Sequence, residues 1–90
     1  MGTLKIDARR SVSPRVVETR RVLMEYSNEA EINIYQDGTA EINWYAVYPD
    51  GNRVFEHTTP RTGINELMEK TPALYNQLRN MIGEINERLV

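Results

Sequence analysis

The chain has 90 residues, 27% of them charged and 40% apolar, with a net charge of −2 and no cysteine. Its length sets one domain of modest stability, its composition excludes a disordered chain, and the absence of cysteine excludes disulfides, thiolate catalysis and cysteine-ligated metal. No apolar run reaches the roughly 18 residues of a spanning helix, and the N-terminus has no apolar signal region, so the cytoplasm is the expected compartment.

Charge is uneven along the chain. Residues 1–22 carry Lys5, Arg9, Arg10, Arg15, Arg20 and Arg21 against Asp7 and Glu18, a net of +4. Residues 23–52 carry six acids and no base, and residues 53–90 carry five of each. Arg9, Arg10, Arg15, Arg20 and Arg21 would make a basic patch for an acidic partner, nucleic acid included. A merely solvated surface is the plainer account of them. Aromatics are sparse among these arginines, which gives single-strand stacking little to work with.

Residues 1–12 read as an N-terminal arm and residues 13–90 as a single α+β domain. Ser13 as cap and Pro14 at the first helical position predict a helix. Val16, Val17, Leu23 and Met24 fall within one helical arc of about 100°. Arg20 sits inside that arc, where its stem can pack while its head reaches solvent. Three valines weaken this assignment, and a strand over 20–26 competes with it.

Next comes a near-repeat, Ala30-Glu31-Ile32-Asn33-Ile34-Tyr35 and Ala40-Glu41-Ile42-Asn43-Trp44-Tyr45. Strict alternation makes both copies strands. A two-residue Asp-Gly loop would set Ile34 against Glu41. A three-residue loop with Gly38 in the left-handed region pairs Ile34 with Ala40, Ile32 with Ile42 and Ala30 with Trp44. Tyr48-Pro49-Asp50-Gly51-Asn52 repeats the device. It predicts Tyr45 opposite Phe55 and Asn43 opposite His57. The result is a three-stranded antiparallel meander over 30–36, 39–48 and 53–58. The units are too short and too few for a solenoid.

Thr59-Pro60 is read as the end of the sheet, and Thr62 as the cap of a short helix over 63–70 with Ile64, Leu67 and Met68 inward. Thr71-Pro72 starts a final helix over 72–89. Leu74, Leu78, Met81, Ile82, Ile85 and Leu89 give it an apolar stripe. Packing on the sheet is the role of that stripe, with a homodimer seam as its alternative. The C-terminal helices then cover one sheet face, that of Ile32, Ile34, Ile42, Trp44, Ala46 and Val54.

The opposite face carries Tyr35, Asn43, Tyr45, Arg53, Phe55 and His57, polar positions set with three aromatics. Tyr45 and Phe55 can serve as a stabilising cross-strand pair and nothing more. Aromatics rimmed by Asn and Arg are also the usual anchors of protein interfaces. The expected function is therefore non-catalytic recognition of a protein partner, as in small regulators and inhibitors, including those that phages encode. The last step rests on protein class rather than on particular residues. The rival expectation is a small acid–base endoribonuclease using Glu41, Arg53 and His57. Nucleic-acid binding through the basic N-terminal segment is third. One histidine without cysteine makes a poor metal site, no glycine-rich phosphate loop is present, and no cofactor is expected.

Overall fold

The structure, a computed structural model, describes residues 14–89. The arm of residues 1–12, with Arg9 and Arg10, lies outside the described residues. Strand β1 spans Val16–Met24, β2 Asn28–Tyr35, β3 Thr39–Val47 and β4 Arg53–Gly63. Helix α1 spans Ile64–Lys70, and a 3₁₀ turn over Pro72–Leu74 leads into α2, Tyr75–Leu89. The four strands form one antiparallel sheet in the order β1-β2-β3-β4. The fold is thus α+β, with a four-stranded meander and C-terminal helices.

The expected N-terminal helix is a strand. Val16, Val17, Thr19 and Val22 are β-branched and suit a pleated surface. Glu18, Arg20, Val22 and Met24 lie against Ile34, Ile32, Ala30 and Asn28, so they share the helical side of the sheet. Thr19, Arg21 and Leu23 take the other side. A bulge at Val17 breaks this alternation between Val16 and Glu18. That irregularity lets the same residues mimic a helical arc.

Both glycine turns adopt the three-residue form. Gly38 and Gly51 have φ of 84° and 91°, and their N–H groups donate to the carbonyls of Tyr35 and Tyr48 at 3.0 and 2.8 Å. The β2–β3 register sets Ile34 against Ala40, Ile32 against Ile42 and Ala30 against Trp44. β4 does not stop at Thr59-Pro60 but continues to Gly63. Proline is tolerated there because β4 is an edge strand, and Pro60 falls at a shift between the Ala40–Thr62 and Ile42–Thr59 pairs.

The helices bury one face. Ile32, Ile42, Leu67, Leu74, Leu78 and Met81 are fully buried, each contributing on the order of 1.5–3 kcal/mol by removal from water. Val22, Met24, Trp44, Ile64, Ile82 and Ile85 pack around them, partly buried. Cover fades toward the β3–β4 turn, so Ala46 is only half-buried and Val54 is 49% exposed. Two expected caps act differently. Thr62 donates its hydroxyl to Glu66 at 2.8 Å rather than capping α1. Thr71 donates to the Leu67 carbonyl at 2.7 Å and so closes α1; α2 begins only after the 3₁₀ turn. Arg20 with Glu84 and Arg88 with Glu18 tie α2 to β1. Among the described residues no helix is long and apolar enough to cross a membrane.

Candidate protein-interaction face

The sheet side away from the helices is built in rows across the strands. Register places Leu23, Glu29, Tyr45 and Phe55 in one row, and Arg21, Glu31, Asn43 and Thr58 in the next. Thr19, Asn33 and Glu41 make a third. No described element covers this side, and Leu23 and Phe55 are 71% and 55% exposed.

Its aromatic part is held in place. The Tyr45 and Phe55 rings meet edge to face, with centroids 5.7 Å apart at 75°, the favoured geometry for two quadrupoles. The Arg53 guanidinium lies over Tyr45, 4.1 Å from its centroid. Arg53 Nε also donates to Glu29 Oε1 at 2.7 Å, and its terminal nitrogen lies 3.9 Å from Glu31. Arg61 stands over the Tyr35 ring at 4.7 Å.

The polar part is a connected network. Tyr35 donates its hydroxyl to Glu41 at 3.0 Å, and Asn33 donates to the same carboxylate at 3.3 Å. Thr19 donates to Asn33 at 2.7 Å. Asn43 donates to Glu31 at 3.2 Å and accepts from Thr58 at 2.7 Å. Arg21 lies 3.5 Å from Glu31. Partial burial, then the hydrogen bond and charge of Glu41, raise the Tyr35 phenol above its ordinary 10.0. Glu29 and Glu31 are thus paired with Arg53 and Arg21, while Glu41 is held by Asn33 and Tyr35, the ring that Arg61 covers.

Tyr35, Asn43, Tyr45, Arg53 and Phe55 therefore share this face with Glu41. His57 does not. Glu56 is an extra residue in β4, so the register moves from Tyr45–Phe55 to Trp44–His57, and Asn43 meets Thr58 instead. His57 stacks on Trp44 on the helical side, with centroids 5.9 Å apart and 15° between planes. Glu41 and Arg53 accordingly face away from His57, and the acid–base set does not assemble. The described arginines of the basic segment also divide. Arg20 reaches Glu84 on the helical side while Arg21 reaches Glu31 on the open side, and Arg15 is exposed at the start of the sheet. Among the described residues, no group of three or more His, Cys, Asp or Glu side chains could hold a metal ion.

The chain matches no protein-family model, no curated protein and no solved structure.

Leu23, Glu29, Glu31 and Arg61 belong to the face but escape a sequence reading. Leu23 alternates with Arg21 and Thr19, and that period-two signal is present in the sequence. Arg61 is hidden by Pro60, which reads as a strand stop.

Proposed function

We propose that the protein is a non-catalytic protein-binding domain that acts as a small regulator or inhibitor, docking its partner on the open sheet face. The observation that carries this reading is the Tyr45–Phe55 pair, covered by no described element, with Phe55 exposed and Tyr45 half-buried, and braced by Arg53 between Glu29 and Glu31. Anchors whose rotamers are already fixed lose little entropy on association, and Tyr, Arg and large aromatics are the side chains on which interface energy concentrates. Among the described residues, Glu29, Glu31 and Glu41 on the face stand against Arg21, Arg53 and Arg61. A phosphate backbone calls for uncompensated cations, whereas a protein surface of mixed polarity suits a balanced face.

The test is capture from host lysate with quantitative mass spectrometry, comparing wild type, Phe55→Ala and Tyr75→Ala. Tyr75 is an exposed tyrosine at the start of α2, the helix that packs on the opposite side of the sheet. A protein retained by wild type and Tyr75→Ala but lost by Phe55→Ala supports the reading. Equal retention by all three contradicts it.

A further inference from the structure

The outer strands of the sheet, β1 and β4, differ as edges. β4 carries Pro60 and two register shifts, features that keep an edge from accepting another strand. β1 has its bulge at Val17 and then runs in unbroken register, Glu18 to Met24 against Ile34 to Asn28. That run includes no proline, glycine or lysine. The direction of its backbone groups follows from its neighbours. The Tyr35 carbonyl accepts from Gly38, toward β3, while the Gln36 N–H donates to the Arg15 carbonyl, toward β1. Alternation then turns Ile34, Ile32 and Ala30 toward β1, where they meet Glu18, Arg20 and Val22. Thr19, Arg21 and Leu23 therefore aim their N–H and C=O groups outward, past the last described strand.

We propose that β1 adds a strand from a partner protein, one with acidic side chains set against Arg20 and Arg21 and apolar ones against Val22 and Leu23. Unpaired backbone groups supply the ladder, and side-chain matching selects the strand. A second copy of β1 is a poor match. A two-fold axis through Arg20 or Arg21 sets that arginine against itself, and like charges directly opposite destabilise. An axis through Thr19 runs the ladder into the bulge at Val17, and one through Val22 sets Arg21 against Leu23. Carboxylates across the edge turn the same repulsion into attraction. The Arg21 side chain is 58% exposed, with its Nε 3.5 Å from Glu31, and Leu23 is 71% exposed, so an arriving strand can cover both. The edge is a surface apart from the aromatic pair. Leu23 shares a row with Phe55 but lies three strand spacings away, about 14 Å.

Amide hydrogen exchange read by NMR on the full chain tests this, with the peptide acetyl-Thr-Ile-Val-Glu-Glu-Thr-amide as probe. Antiparallel to β1, it sets its two glutamates against Arg21 and Arg20 and its Val and Ile against Val22 and Leu23. The Thr19, Arg21 and Leu23 amides should exchange fast in the protein alone. They should slow by about tenfold once free peptide reaches about nine times its Kd. The Arg20 and Val22 amides, bonded to β2, should not change, and Phe55→Ala should respond as wild type. The proposal is overturned if the three amides do not slow, if the lysine version of the peptide slows them equally, or if Phe55→Ala abolishes the response. Slow exchange of the three in the protein alone also overturns it. Slowing that grows with protein concentration would mean that a second copy pairs there, and slowing independent of concentration that the chain covers its own edge.

Discussion

Arg53 holds its guanidinium carbon 4.1 Å from the centroid of the Tyr45 ring while Glu29 takes its Nε–H. The two contacts fix one side chain from two directions. Arg53→Lys keeps the charge but loses the planar fork and the stacking. This ion pair is partly exposed, so the stability cost should stay near about 1 kcal/mol. Partner affinity should fall by more than that. Thermal melts and a binding titration on the purified variant separate the two effects.

Trp44 and Tyr45 are consecutive in β3 and point to opposite sides of the sheet. Trp44 packs at the margin of the core, stacks on His57 and donates Nε1–H to Thr59 at 2.9 Å. Trp44→Ala should cost about 3 kcal/mol, the lower end for removing a buried aromatic, because its burial is partial. Tyr45→Ala should cost about 1 kcal/mol through loss of its cross-strand partner. Urea titrations of both variants measure the difference.

The turn glycines can be tested through backbone conformation alone. A Cβ on Gly38 would meet nothing within 4 Å, yet φ is +84°. Gly38→Val should therefore destabilise by about 1–3 kcal/mol without any steric contact. Gly38→Asn should cost clearly less, since asparagine tolerates the left-handed region. Chemical denaturation of the pair distinguishes conformational strain from crowding.

Tyr35 links the network to pH. Its folded-state pKa is raised, so the folded form holds the phenolic proton to higher pH than the unfolded chain does. The stability it contributes is in place below the ordinary value of 10.0 and is lost as pH rises through the higher folded value. Glu41→Gln removes the adjacent negative charge and should move the Tyr35 pKa back toward 10.0. NMR titration of tyrosine ring carbons in both proteins tracks the shift.

Much of this fold is legible in the sequence wherever local period and turn chemistry agree. Ile32, Ile34 and Ile42 alternate without interruption, and Gly38 and Gly51 fix the two loops, so both registers near the turns can be derived. The stripe of Leu74, Leu78 and Met81 is equally plain. Legibility fails at bulges. Val17 disguises β1 as a helix, Glu56 carries His57 to the other face, and the shift beside Pro60 conceals the last third of β4. A bulge inserts one residue without a composition signal of its own, and each insertion reverses the facing of the residues beyond it. The acid–base set fails for this reason, because it depends on His57, which lies beyond such a point. The aromatic pair is legible because Tyr45–Phe55 lies between the turn and the first bulge.

The most direct test of the open face as the docking surface is the affinity of the captured partner for Phe55→Ala. Phe55 is 55% exposed, so its removal should cost only the roughly 1 kcal/mol of its pairing with Tyr45 and leave the domain folded. Kd should rise by about 30-fold, corresponding to the roughly 2 kcal/mol lost with an interface anchor. A Kd equal to that of wild type, measured on the folded variant, would contradict the account.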